Sequence, residues 1–191
     1  MGPEALRAAL LRGPGASSDF DLNPGFAMPE GRILRPAAVL LAVLDGQVIL
    51  TKRSSRLKHH PGQIAFPGGK VDPGDATPKA AALREAREEV GLDPALVEVL
   101  GCLPTHETVT GFSIVPVLGH VRADFSPMPE AGEVDEVFFV PLAYLADPAN
   151  YRIERRRWRG EWRRYYAAPF GPYYIWGATA RILRGFAERL A

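Results

Sequence analysis

The spacing of apolar positions changes along this chain, and each change marks an element. Residues 1–12 carry apolar residues at helical intervals and predict a short helix. A Gly/Ser-rich piece, Gly13 to Ser18, follows it. Residues 19–35 keep no period and contain Pro24, Pro29 and several glycines, so they are expected to wrap the surface. Residues 37–44 (AAVLLAVL) are apolar throughout and predict a strand in the middle of a sheet. Asp45-Gly46 is a hairpin turn, and 47–53 (QVILTKR) return as a strand. Residues 54–75 lose all periodicity and read as one long loop, rich in Gly, Pro, Lys and His; loops of that length usually have a task. Thr77-Pro78 starts a helix that runs to about Val90 and stops at Gly91. Strands are expected at 96–103, 112–120 and 135–140, and a charged hairpin over 151–168 turning at Gly160. Residues 177–190 form an amphipathic helix with Ile182, Leu183, Phe186 and Leu190 as its stripe, placed to close the domain or support a homodimer. Hairpins mixed with helices predict an α/β fold, a mixed sheet covered by helices. The expected organisation is a helix and wrapping segment over 1–34, then one domain over 35–191.

Composition narrows this picture a little. A chain of 191 residues with 47% apolar and 24% charged content is sized for a single globular core. A net charge of +1 provides no global pull towards nucleic acid or membrane. The longest apolar run, Ala37 to Leu44, is far shorter than the roughly 20 residues that span a bilayer. Met1 to Leu11 lacks the basic head and long apolar centre of a signal peptide. Cys102 is the only cysteine, which rules out an internal disulfide and fits a reducing, cytoplasmic location.

The chemistry concentrates in ALREAREEVGL (82–92). At about 100° per residue, Glu85, Glu88 and Glu89 fall on one helical face, opposite Leu83, Ala86 and Val90. Carboxylates at these intervals repel, and a dication would reverse the repulsion. Hard oxygen donors suit Mg²⁺ or Mn²⁺. A solvated acidic stripe laced by Arg84 and Arg87 is the plainer reading of the helix alone. The loop ahead of it, FPGGKVDPGD (66–75), changes the balance. Gly68 and Gly69 let backbone approach a ligand or adopt positive φ, and Asp72 and Asp75 add acidic groups near the helix start. Arg53, closing a strand beside this loop, is a candidate phosphate clamp. Lys58, His59 and His60 are further candidates for holding phosphate.

In these residues the sequence resembles the Nudix hydrolases. Gly69, Arg84-Glu85-Ala86, Glu88-Glu89 and Gly91-Leu92 follow the order of the family box. Asp75 stands at the family's first glutamate position, one residue further from Arg84 than is usual. Ile49, Leu50, Thr51, Arg53 and Ser54, then Gly62 and Phe66-Pro67-Gly68-Gly69, are similar to the added signature of the coenzyme A diphosphatases, with Lys58 in place of an arginine. YYIWGATARIL (173–183) also looks like that branch. The resemblance implies an α/β/α sandwich and Mg²⁺- or Mn²⁺-dependent hydrolysis of coenzyme A to 3′,5′-adenosine diphosphate and 4′-phosphopantetheine. It implies metal ligands at Glu85 and Glu89, with Glu88 completing the site or orienting water. It implies that Arg84 ties the carboxylates together, and that Gly68, Gly69, Arg53 and Lys58 meet the substrate. A further carboxylate is expected as ligand or base: Glu133 first, with Glu136, Asp124, Glu130 and Glu107 behind it. Other Nudix substrates, such as ADP-ribose, and a non-enzymatic nucleotide- or RNA-binding role are the competing readings.

Residues 152–164 hold seven arginines and two glutamates, interleaved with Trp158 and Trp162. Three readings stay open: a solvated hairpin, a nucleic-acid surface, and a site for the 3′-phosphate of coenzyme A. The small footprint speaks against nucleic acid. Trp176 and Phe186 are expected in the core, and Phe112, Tyr173 and Tyr174 are candidates to line a nucleotide site.

Overall fold

The structure, a computed structural model, describes residues 1–25, 31–158 and 160–191. Pro29 of the wrapping segment and Arg159 of the hairpin lie outside the described residues. In chain order the elements are α1 (Pro3–Leu10), β1 (Ser17–Ser18), β2 (Arg35–Leu44), β3 (Gln47–Arg53), β4 (Ile64–Ala65), β5 (Gly68–Lys70), α2 (Pro78–Val90), β6 (Val97–Cys102), β7 (His106–Glu107), β8 (Phe112–Val121), β9 (Val134–Pro141), α3 (Leu142–Ala146), β10 (Arg152–Trp158), β11 (Glu161–Phe170), β12 (Tyr173–Trp176) and α4 (Ala178–Leu190).

Strand β2 sets the frame because both its faces are apolar. Ala38, Leu40, Ala42 and Leu44 join a core with Ala81, Ala82, Ala86 and Val90 of α2. Leu41 and Val43 join the opposite core, with Leu6 of α1, Leu142 and Leu145 of α3, and Leu183 and Phe186 of α4. A strand buried on both sides is central, and β2 runs parallel to β8 from Arg35 opposite Phe112 to Val43 opposite His120. Among the described residues nine strands share this mixed sheet, and β10, β11 and β12 form a second, antiparallel one. With α2 on one face and α1, α3 and α4 on the other, the architecture is the expected α/β/α sandwich. No helix among the described residues is long and apolar enough to cross a membrane.

The sheet divides where the chemistry was expected. Asp45 and Gly46, both at positive φ, turn β2 into β3. The two strands stay paired only at Val43–Val48 and Leu44–Gln47. Beyond that, β3 follows β9 and ends against β4. The space beside β2 is taken by β5, with Ala38 opposite Gly69 and Val39 opposite Gly68. Residues 54–75, expected as a single loop, therefore contain two short strands. Each is too short to show a period and is ordered by its neighbour.

Helix α2 begins and ends as its sequence predicts. The Thr77 hydroxyl accepts the Ala80 N–H at 3.1 Å, Pro78 follows, and Gly91 closes the helix at φ 74°. Its orientation differs from the expected one. Leu83 is only half-buried, whereas Glu89 lies in the buried face beside Ala82, Ala86 and Val90. The helix is rotated so that a carboxylate enters the protein. The hairpin turns as expected, but β12 and α3 had no recognised pattern in the sequence.

Candidate active site

Two glycines seat two glutamates. The Gly68 N–H donates to Glu89 Oε2 at 3.0 Å. A Cβ at Gly69 would lie 2.5 Å from Glu85 Oε1, so a side chain there would push this carboxylate aside. A Cβ at Gly68 would meet the Ala38 carbonyl at 2.5 Å, and its φ is 153°. Thus β5 fits against β2 on one side and cradles α2 on the other. The glycines expected to meet the substrate are seen here holding the carboxylates.

Arg84 is the hub on the outer side of this pair. It bonds Asp75 through Nε at 3.0 Å and Nη2 at 2.9 Å, Glu85 at 3.1 Å and Glu88 at 2.9 Å. Asp72 stands 3.5 Å away. The Arg84 hydrogen bond and the Asp72 N–H hold the Asp75 carboxyl below its usual range. Asp75 therefore anchors the arginine that orients Glu85, a part its sequence position alone did not define. Glu88 is exposed and accepts a hydrogen bond from Arg84.

The inner carboxylates are electrostatically loaded. Burial pushes Glu89 up to about 7; the Gly68 N–H opposes this, Glu85 adds to it, Arg53 opposes it and Glu133 adds to it. Burial also raises Glu85; Arg84 counters, while Glu88 and Glu133 add to the rise. Glu133 is thus near enough for its charge to reach both. It is exposed, and its backbone carbonyl accepts the Ser54 N–H at 2.8 Å, which ties its loop to the strand end carrying Arg53. Glu136 faces elsewhere: it accepts a hydrogen bond from Tyr173, whose ring stacks on Phe138.

Arg53 closes β3 after a register shift at Lys52/Arg53. Its backbone N–H donates to the Gln63 carbonyl and its own carbonyl accepts the Gly62 N–H, both at 3.0 Å. Its Nε is buried with no protein acceptor. A desolvated guanidinium donor beside a carboxylate cleft suits an incoming anion. His60 lies close enough that Arg53, after burial, lowers its pKa. Lys58 is exposed on the 54–62 loop, apart from the carboxylate network. Phe112, a candidate to line a nucleotide site, lies under the Arg35 guanidinium at 4.0 Å.

The fit of a divalent metal follows from these contacts. Among the described residues no three His, Cys, Asp or Glu side chains already stand together as a ligand set. Glu89 is buried and Glu85 half-buried, and the charge of Glu85 adds to the rise at Glu89. Two exposed carboxylates, Glu88 and Glu133, flank this pair. Hard oxygen donors with unrelieved repulsion fit Mg²⁺ or Mn²⁺.

A glycine-cradled carboxylate helix inside a split mixed sheet of an α/β/α sandwich defines a class, and comparisons with known proteins give its family. The NUDIX domain model matches residues 34–159, and the chain belongs to the Nudix family. Proteins named "uncharacterized Nudix hydrolase NudL" from Enterobacter sp. (strain 638) and Escherichia coli (strain K12) are 42% identical over 159 residues, 82% of this chain and 83% of theirs. Among solved structures, a Deinococcus radiodurans protein overlays with a TM-score of 0.52 at 17% identity, covering 83% of this chain and 88% of that one. A MutT protein from Methanosarcina mazei Go1 overlays with a TM-score of 0.50 at 22% identity, covering 61% and 83%. These two support the fold alone.

Proposed function

We propose that this Nudix chain hydrolyses the diphosphate of coenzyme A, and of acyl derivatives, with Mg²⁺ or Mn²⁺. The observation that carries the chemistry is the seating of Glu85 and Glu89 on Gly69 and Gly68, beside the orphaned donor of Arg53. Substrate choice rests on the coenzyme A signature, and the fold supports it by gathering those residues. Thr51 bonds the Ala65 carbonyl at 3.2 Å, Gly62 bonds Arg53, and Phe66–Gly69 lead directly into the carboxylate seat.

A bound divalent ion supplies positive charge to the diphosphate oxygens and lowers the pKa of a coordinated water. Glu85 and Glu89 would hold it, with Glu88 or Glu133 as the further donor. Arg84 keeps Glu85 aligned. Arg53 clamps the diphosphate, and Lys58 stands at the outer rim for a distal phosphate. Water adds its oxygen to one phosphorus while the bond from that phosphorus to the bridging oxygen breaks. Glu133, the candidate base, takes the water proton. The bridging oxygen leaves on the other phosphate, giving 3′,5′-adenosine diphosphate and 4′-phosphopantetheine.

Product identification tests this. Coenzyme A, dephospho-coenzyme A and ADP-ribose are incubated with metal, and with chelator as control, and the products are separated by chromatography. Metal-dependent release of 3′,5′-adenosine diphosphate is the expected result. A clear preference for ADP-ribose overturns the substrate and keeps the chemistry. No turnover of any diphosphate favours a binding module instead.

A further inference from the structure

The second sheet sets arginines opposite one another. Two arginine pairs face each other directly across β10 and β11: Arg155 opposite Arg164, and Arg156 opposite Arg163. Like charges directly opposite on an antiparallel pair destabilise it. Successive strand residues point to opposite faces, so the two pairs lie on different faces. Arg155 and Arg164 are both exposed. The other pair has a different setting. Arg163 is only 7% exposed, and its guanidinium lies over the rings of Phe20 at 5.2 Å and Trp158 at 5.1 Å. Arg156 is exposed and lies over Trp176 at 4.8 Å. Trp176 meets Tyr165 edge-on at 5.2 Å, and the Tyr165 hydroxyl contacts that of Tyr174 at 3.1 Å. Glu154 shares this face, opposite Tyr165.

This face borders the loop that leads to Arg53. Gly177 follows Trp176, and a Cβ on it would stand 3.7 Å from Gln63 Nε2. The Thr179 hydroxyl donates to the Ile64 carbonyl at 3.1 Å. The Gln63 carbonyl in turn accepts the Arg53 N–H at 3.0 Å. One short run, residues 60–64, therefore joins an arginine–aromatic face to the strand end at the diphosphate site.

We propose that Arg156, Trp176 and Tyr165 form the subsite for the substrate end remote from the scissile bond, a purine nucleoside bearing an additional phosphate. The inference rests on the coenzyme A reading and says where that substrate's 3′-phosphate is read. The rings provide a stacking surface for the base. Arg156 provides a planar fork for the phosphate, which a lysine would not match. Arg163 is committed to the protein instead: its Nη2 donates to the Asp19 carbonyl at 3.2 Å.

Binding of 3′,5′-adenosine diphosphate and 5′-adenosine monophosphate to the metal-free full chain tests this, by calorimetry and tryptophan fluorescence. Neither ligand has the scissile bond, so failure here is separable from failure to hydrolyse coenzyme A. The diphosphate should bind about tenfold or more tightly than the monophosphate, since charge-assisted bonds are the strong ones. Arg156→Ala should bring that ratio close to one, Arg156→Lys should restore part of it, and Arg155→Ala, on the other face, should leave it intact. Equal affinities in the unaltered chain, or an unchanged ratio in Arg156→Ala, overturn the proposal. Tighter binding of a short single-stranded RNA, weakened alike by Arg155→Ala and Arg156→Ala, also overturns it and reassigns both faces to nucleic acid.

Discussion

Glu89 is 4% exposed, and burial raises its pKa to about 7 from a usual value of 4.5. In the metal-free protein this works against folding. Between those two values the folded state keeps a proton that the unfolded chain has released, so stability falls as pH rises through that window. Above it the full cost stands, on the order of 3 kcal/mol. Glu89→Gln should therefore cut kcat by about 100-fold or more while raising metal-free stability at pH 8. Steady-state kinetics and urea unfolding in chelator check the two halves. Near-normal kcat would remove Glu89 from the site, and a less stable variant would refute the loaded carboxylate. Gly69 makes the companion case. Its missing side chain is what admits Glu85, so Gly69→Ala should displace that carboxylate, and kcat/KM should drop about tenfold or more. Circular dichroism should show the fold intact; unchanged kinetics would mean that the seat yields freely. The Glu85, Glu88 and Glu89 set was legible as a helical stripe. Which member is buried was not, because burial depends on a backbone N–H from Gly68, remote in sequence.

Most elements followed from their periods. The strand expected over 47–53 and the helix starting at Pro78 and ending at Val90 were found at those bounds. The hairpin turns between Trp158 and Glu161, around the expected Gly160. What escaped the sequence was short and dependent on neighbours. Strands β4 and β5 span two and three residues, and they exist because β3 and β2 offer open edges. The expected apolar face of α2 included Leu83, which the observed rotation leaves half-buried in favour of Ala82. Termini were the most legible feature of that helix. Its Thr77 cap should contribute about 1 kcal/mol, so Thr77→Ala should lower the urea midpoint by that equivalent with an unchanged m-value. A null effect would mean that packing alone defines the start of α2.

On the scale of the whole molecule, the split sheet, the carboxylate seat and the second sheet respond together to a ligand that binds only the folded chain. Mg²⁺ or Mn²⁺ at about 100 times its Kd should add about 2.7 kcal/mol. For a chain of this size that raises Tm by roughly 5–10 °C. Glu85→Gln should abolish the increment in a thermal melt, and an equal increment in that variant would place the ion elsewhere. The second sheet has an open side as well. Strand β10 lies at its edge, with residues 152–157 exposed and arginine at four of those six positions. An open strand edge is a template on which another copy can add. A second β10 arriving there would bring guanidinium groups against guanidinium groups. The row therefore acts as a guard against fibril growth. Arg155→Thr combined with Arg157→Thr should aggregate faster on gentle heating, by light scattering and thioflavin fluorescence. High salt, which screens the repulsion, should move the unaltered chain in the same direction.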